Sequence, residues 1–197
     1  VAYSVESGLA RIVFTDVENK NAIDLQACQE FGEAAASARK DTSVRVVLLQ
    51  ARGDVFSVGG DIKGFVENKD HIYDHVISMT NGFHAGITDL RDGDAPFIIA
   101  VNGMAAGGGF SLVCSADLAI AKRSAKFCAA YTRSGLSPDG GGTYFLPRIV
   151  GRQRAFDIFA TNPTLSADQA YELGIVTHVL DDENFDAEVE KLVQKIV

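Results

Sequence analysis

The sequence has no long apolar run and no cluster of basic residues. No stretch approaches the roughly 18–20 consecutive apolar residues of a membrane-spanning helix, and no basic-then-apolar signal segment opens the chain. The net charge is −8 with Lys and Arg scattered, whereas nucleic acids and anionic membranes require a concentrated basic surface. We therefore expect a cytoplasmic protein that binds neither nucleic acid nor membrane. Because the sequence begins at Val1 and not at a methionine, it leaves open whether a targeting segment precedes it.

Cysteine and histidine are also few. Cys28, Cys114 and Cys128 are odd in number and show no Cys-x-x-Cys spacing, which predicts three reduced and mostly buried thiols. The four histidines show no HExxH pattern and no cysteine partner, so no metal site is expected. A polyanionic small ligand stays compatible with the acidic balance, because such a ligand needs only a few local cations.

Apolar strands alternate with helical segments along one domain, residues 1–197. The predicted strands are Leu9–Phe14, Val44–Leu49, Phe97–Val101 and Asp117–Ala121. The longer ones are rich in β-branched residues, as expected of strands that are buried on both faces. The predicted helices are Asp24–Arg39, His71–Arg91, Arg152–Ala160, Ser166–Leu173 and Asp186–Ile196. This alternation predicts an α/β fold with parallel strand pairing.

Two glycine-containing stretches each follow a predicted strand. Phe56–Lys63 reads Phe-Ser-Val-Gly-Gly-Asp-Ile-Lys, and residues 102–110 read Asn-Gly-Met-Ala-Ala-Gly-Gly-Gly-Phe before an apolar helix at Phe110–Cys114. A strand followed by glycines and a helix start presents unpaired backbone N–H groups, and glycine lets a ligand approach the backbone closely. Neither stretch has the spacing of the common phosphate-binding loops. Each one alone is also compatible with a tight turn.

These two stretches, followed by Ser-Ala-Asp-Leu-Ala-Ile-Ala at residues 115–121, resemble the enoyl-CoA hydratase/isomerase (crotonase) family. The resemblance runs from about Val5 to the end and includes Gly-Leu-Ser-Pro-Asp-Gly-Gly-Gly-Thr at 135–143 and Leu-Pro-Arg-Ile-Val-Gly at 146–151. It implies the crotonase fold, in which repeated ββα units form a spiral with parallel sheets surrounded by helices. It also implies an acyl-CoA thioester as substrate, no cofactor beyond the coenzyme A of that substrate, and a homotrimer or homohexamer. Family members continue into C-terminal helices that pack on a neighbouring subunit, and we expect that trimerisation segment to be missing or truncated here.

The resemblance also assigns the residues that hold the thioester. The backbone amides of Gly60 and Gly108 are implied to form the oxyanion hole that stabilises the thioester enolate. The residues implied to line the coenzyme A channel are Ser57, Val58, Gly59 and Lys63. Lys63 would lie near a phosphate, although a solvated surface lysine is equally compatible with the sequence.

The groups around the enolate decide the reaction. In the resembling hydratases two glutamates activate water, and this chain has Ser111 and Tyr131 at those positions. Neither side chain is a good base at neutral pH, so hydratase activity is not expected, and both are expected to contact the substrate. Asp139 resembles the carboxylate that Δ3,Δ2-enoyl-CoA isomerases, dienoyl-CoA isomerases and ring-oxepin isomerases use as base. One carboxylate suffices to move a proton from C2 to C4, so we assign the chain to this isomerase-like subgroup with Asp139 as catalytic base.

Alternatives from other classes stay open. The 4-chlorobenzoyl-CoA dehalogenases carry a nucleophilic aspartate at the Asp139 position and a histidine that matches His84, although Tyr131 stands where they have tryptophan. His84 is equally compatible with lining the substrate pocket. A catalytically silent acyl-CoA-binding scaffold is the other alternative, and Asp139 then becomes a turn residue or a helix cap.

Two further carboxylates are expected to be structural. Asp61 stands beside Gly60, where it would cap or orient the loop. Asp117 follows the second glycine stretch in an apolar setting, and a carboxylate there needs hydrogen-bond partners.

Overall fold

The computed structural model describes residues 1–197, which form ten strands and eight α-helices. In chain order the strands are β1 (Ala2–Glu6), β2 (Leu9–Phe14), β3 (Val46–Ala51), β4 (Val55–Ser57), β5 (Phe97–Val101), β6 (Met104–Ala106), β7 (Leu118–Lys122), β8 (Lys126–Cys128), β9 (Leu165–Ser166) and β10 (His178–Leu180). The helices are α1 (Leu25–Lys40), α2 (Ile62–Glu67), α3 (Ile72–Asp92), α4 (Gly108–Ser115), α5 (Gly142–Val150), α6 (Arg152–Thr161), α7 (Ala167–Glu172) and α8 (Phe185–Gln194).

The strands form two sheets, and most of the pairs are parallel. The larger sheet has the order β1-β2-β3-β5-β7-β10, and the smaller sheet has the order β4-β6-β8-β9. All neighbours from β2 to β10 pair in parallel, as do β4 with β6 and β6 with β8. Only the edge strands β1 and β9 pair antiparallel. The α/β fold with parallel pairing is confirmed.

Strand–strand–helix units repeat along the chain. The successions β3-β4-α2, β5-β6-α4 and β7-β8-α5 each send one strand to the larger sheet and the next strand to the smaller sheet, before a helix follows. The units repeat side by side because each new strand pairs in parallel with its equivalent in the preceding unit. This arrangement is the repeated ββα architecture that the sequence resemblance implies.

The larger sheet is buried on both faces, which explains why its strands are unbroken apolar runs. Val47, Leu49 and Ile99 point into the main core between the sheet and its covering helices. Their neighbours Leu48 and Ile98 point to the other face, where α8 packs. None of the helices has the length and apolar character needed to cross a bilayer.

The predicted elements are present with small shifts at their ends. β2 and β5 have the predicted bounds, whereas β3 begins two residues later than predicted. The reason is that the Val44 amide closes a turn onto the Asp41 carbonyl. α7 begins after Ser166, whose hydroxyl accepts from the Gln169 amide in the predicted capping box. All three cysteines are free and buried, as expected.

Candidate active site

The two glycine stretches meet at one edge of the smaller sheet. β4 and β6 are parallel neighbours, so the loops that leave their carboxyl ends lie side by side. Gly59 has a φ of +89°, and a Cβ on it would lie 2.8 Å from the Ala106 carbonyl oxygen and 3.3 Å from the Gly108 nitrogen. A side chain at position 59 would clash with the neighbouring loop and strain its own backbone. Glycine at this position therefore lets the two loops touch.

Two backbone amides border the cavity at this contact. Gly60 and Gly108 both line it, and neither amide donates a hydrogen bond to another group of the chain. Gly108 is the first residue of α4, where the amides lack acceptors within the helix and the helix dipole adds positive potential. Donors fixed in this way suit an oxygen that acquires negative charge during a reaction. This geometry supports the prediction of an oxyanion hole.

The cavity has a volume of about 260 Å³ and a mainly apolar wall. α2 and α3 contribute half of its hydrophobic residues, namely Ile62, Phe65, Ile72, Val76, Met79 and Phe83. This wall is not evident from the sequence, because α2 is only six residues long and the inward face of α3 emerges only from packing. The cavity is therefore suited to an apolar acyl group.

Asp139 is the only carboxylate in the cavity lining, which contains no lysine or arginine. The Tyr131 hydroxyl donates a hydrogen bond of 2.8 Å to Asp139 Oδ1. Burial, and then the charge of Asp139, raise the pKa of Tyr131 well above its ordinary value, so the phenol keeps its proton at neutral pH and acts as donor. The Tyr131 oxygen lies 2.7 Å from Ser111 Oγ. The structure thus joins three of the predicted site residues in one chain of hydrogen bonds.

Tyr131 enters the cavity from a strained turn. Ala130 precedes it in a left-handed conformation with a φ of +61°, which is uncommon for a residue with a side chain. Tyr131 then begins a short 3-10 turn that ends at Ser134. Such conformations cost about 1–3 kcal/mol and cluster at functional sites, so the turn is consistent with a functional place for Tyr131.

His84 lies next to Asp139 but borders a different cavity. Its Nε2 atom lies 3.8 Å from Asp139 Oδ2 and accepts a hydrogen bond of 3.2 Å from the Gly140 amide. Together with Gly140 and Gly141, His84 lines a second cavity of about 420 Å³. His84 therefore lies beside Asp139 but outside the lining of the cavity that contains Asp139.

Of the four residues predicted to line the coenzyme A channel, only Val58 lies in the cavity lining, and Ser57, Gly59 and Lys63 lie outside it. Lys63 is exposed on α2 outside the cavity lining. Ser57 is fully buried, and its hydroxyl donates to the Asn21 carbonyl and accepts from the Gly59 amide. Ser111 is also fully buried, and neither serine belongs to the cavity lining.

The two carboxylates that were expected to be structural are structural. Asp61 caps α2 by accepting from the Lys63 amide. Asp117 pairs with Arg91 of α3 and accepts a hydrogen bond of 2.8 Å from the Phe97 amide. The setting of Asp117 is less apolar than expected, since about two fifths of its side chain is exposed.

Cys28 is a cavity residue that the sequence interpretation did not single out. It lies on α1 and borders the same cavity as Asp139. Burial, followed by the charges of Asp24 and Asp139, raises its pKa to about 12. The side chain is therefore a neutral thiol at physiological pH and is not a nucleophile there.

Comparison with solved structures and curated proteins identifies the fold and the family of this chain. A Mycobacterium abscessus protein assigned to enoyl-CoA hydratase/isomerase superposes with a TM-score of 0.93 at 31% identity, over 99% of this chain and 76% of that one. The fold is therefore the crotonase fold. The profile of the enoyl-CoA hydratase/isomerase family matches residues 4–197, and the chain belongs to that family.

Two curated relatives have similar sequence identity to this chain but differ from each other in activity. A 4-chlorobenzoyl coenzyme A dehalogenase of Arthrobacter sp. is 34% identical over 96% of this chain and 69% of its own length. A 1,2-epoxyphenylacetyl-CoA isomerase of Escherichia coli K12 is 33% identical over 98% of this chain and 74% of its own length. Family membership is thus established, while the particular reaction must be argued from the site.

Proposed function

We propose that this protein is an enoyl-CoA isomerase that moves a double bond from the 3- to the 2-position of an acyl-CoA thioester. The observation that carries the proposal is the single carboxylate, Asp139, in an otherwise apolar cavity that also contains the unpartnered amides of Gly60 and Gly108. An isomerisation needs one base that removes a proton and returns it elsewhere, and donors that hold the charge between the two steps.

The site residues divide the reaction between them. The thioester oxygen accepts hydrogen bonds from Gly60 and Gly108, which stabilise the enolate as it forms. Asp139 removes the C2 proton and becomes a carboxylic acid, and the electron pair spreads from C2 to C4. The same acid then protonates C4, so the double bond ends between C2 and C3 and the base is restored. This proton transfer needs no cofactor beyond the coenzyme A of the substrate.

Water addition is poorly supported by the same geometry. Hydration requires a base for water and an acid for the α-carbon. At the two positions where the resembling hydratases hold glutamates, Ser111 and Tyr131 hydrogen-bond to each other, and Tyr131 also bonds to Asp139. The phenol keeps its proton, and the serine is fully buried. Neither residue is available to activate water.

A dehalogenase-like hydrolase is the second candidate, and the 3.8 Å separation between His84 Nε2 and Asp139 Oδ2 is the observation that favours it. In that reaction Asp139 attacks the ring carbon that bears the halogen, halide leaves, and an aryl ester of Asp139 forms. Water that gives its proton to His84 then hydrolyses the ester. A silent scaffold is less well supported, because binding alone gives no reason for a lone carboxylate in an apolar cavity.

A screen of 3-enoyl-CoA, 2-enoyl-CoA and 4-chlorobenzoyl-CoA thioesters separates these functions. We expect 3-enoyl-CoA to be converted to 2-enoyl-CoA, with no halide released from 4-chlorobenzoyl-CoA. Halide release, together with a covalent aryl-enzyme detected by mass spectrometry that persists in His84→Gln, would establish the second candidate instead. Binding of all three classes without turnover would leave only the scaffold.

The proposal includes a homotrimer or homohexamer and a cytoplasmic location, as the family resemblance implies. Light scattering on the full-length protein tests the assembly. A monomer would count against that part of the proposal.

A further inference from the structure

We propose that Tyr131 and Ser111 are positioning residues for the base: they form a buried hydrogen-bond chain that fixes Asp139 through Oδ1 and leaves Oδ2 to carry the proton. This inference rests on the proposed function, in which Asp139 is the base. It gives a different role to the two positions that were expected to contact substrate. Tyr131 still borders the cavity, but its hydroxyl is directed to Asp139.

The donors in the chain have a defined order. A phenol has one hydroxyl hydrogen, and Tyr131 uses it in the 2.8 Å bond to Asp139 Oδ1. The 2.7 Å contact with Ser111 must therefore be donated by the serine hydroxyl. Hydrogen bonds to an ionised acceptor are the stronger ones, and neighbouring bonds in a chain polarise each other. Each hydroxyl therefore supports the charge on Asp139.

Backbone packing holds the serine end of the chain. A Cβ on Gly142 would lie 2.7 Å from Ser111 Oγ, and a Cβ on Gly140 would lie 3.0 Å from Ser111 Cβ. The glycines after Asp139 therefore let the loop of the base pack directly on Ser111. Gly140 also needs glycine for its own backbone, since its φ is +57°.

One helix links the base to the oxyanion donor. Ser111 lies on α4, three residues after Gly108, and every residue of that helix is buried. The helix that presents the Gly108 amide therefore also holds the inner end of the chain that reaches Asp139. Because Ser111 and Gly108 share one rigid element, the distance between the enolate oxygen and the base is set by the scaffold. A displacement of about 1 Å in such geometry can cost on the order of a hundredfold in rate.

The second oxygen of Asp139 is left for chemistry. Oδ2 accepts no hydrogen bond from the chain, and His84 Nε2 lies 3.8 Å from it. That nitrogen is already an acceptor for the Gly140 amide. Oδ1 is thus held by Tyr131, whereas Oδ2 is free to remove and return a proton.

The test compares Tyr131→Phe and Ser111→Ala with Tyr171→Phe, which removes a hydroxyl from an exposed tyrosine outside the site. For Tyr131→Phe we expect kcat for 3-enoyl-CoA isomerisation to fall about tenfold with little change in the affinity for a saturated acyl-CoA. Ser111→Ala should show a smaller loss in the same direction, and Tyr171→Phe none.

A crystal structure of Tyr131→Phe gives a readout that does not depend on turnover. We expect the Asp139 side chain to change rotamer or lose order while the backbone stays in place. An unchanged Asp139 rotamer together with an unchanged kcat would overturn the positioning role. If the wild type does not isomerise 3-enoyl-CoA at all, the proposed function fails, and the Asp139 rotamer alone then decides whether the chain positions this side chain.

Discussion

Ser111 Oγ and Tyr131 Oη lie 2.7 Å apart, at the two positions where the resembling hydratases hold their glutamates. The two hydroxyls are hydrogen-bonded to each other, and Tyr131 is also bonded to Asp139. Neither of the two positions therefore supplies a carboxylate that could activate water. Under the proposed function, the amides of Gly60 and Gly108 stabilise the enolate and Asp139 is the single proton carrier.

Crotonyl-CoA tests this consequence directly. We expect its hydration by the wild-type protein to be at least about a hundredfold slower than the isomerisation of a 3-enoyl-CoA, because positioned acid–base groups contribute about 100- to 10,000-fold. The loss of enoyl absorbance after addition of crotonyl-CoA measures it. Hydration at a rate similar to isomerisation would show that another group activates water.

Substitution of Gly59 tests the contact between the two glycine loops. Gly59→Ala should destabilise the fold by about 1–3 kcal/mol, because alanine at positive φ is strained and its methyl group clashes with the Ala106 carbonyl. Gly60→Ala is the matched control, since its Cβ would meet only the Phe65 ring at 3.5 Å and its φ is not positive. Thermal unfolding of both variants measures the difference. Equal melting temperatures would contradict the role assigned to Gly59.

Binding of coenzyme A should depend on salt through a few local cations. We expect the affinity for acetyl-CoA to fall between low and high ionic strength, because exposed charges are screened beyond about 10 Å at 0.1 M salt. Lys63→Gln should weaken binding at low salt, whereas Lys40→Gln at the end of α1 should not. Titration calorimetry of the two variants measures the contrast. Affinity that is independent of salt and of Lys63 would place the phosphates elsewhere.

The sequence was sufficient for the long elements of the fold. Leu9–Phe14 and Phe97–Val101 were predicted with their observed bounds, because strands buried on both faces are apolar throughout and contrast with polar turns on either side. The three-residue strands β4, β6 and β8 were not predicted, because three residues are too few for any periodicity. They nevertheless matter for the site, since β4 and β6 bring the two glycine loops together.

The candidate site was predictable residue by residue but not as an arrangement. Gly60, Gly108 and Asp139 lie in local motifs through which the family resemblance is carried, and the structure places all three in the lining of one cavity. The bonds between Ser111 and Tyr131 and between Tyr131 and Asp139 join residues 20 and 8 positions apart, and only the packing of α4 against the Asp139 loop creates them. Ser57 shows the converse limit: its motif was recognised, but its burial depends on the bond to the Asn21 carbonyl, which no local pattern reveals.

Replacement of Asp139 by asparagine tests the central claim most directly, because the side chain keeps its shape but cannot take a proton. The measurement is kcat for 3-enoyl-CoA to 2-enoyl-CoA isomerisation, with the affinity for a saturated acyl-CoA as control. The account predicts a loss of at least about a hundredfold in kcat with affinity nearly unchanged. Turnover by Asp139→Asn at the wild-type rate would contradict the account and return Asp139 to the role of a turn residue.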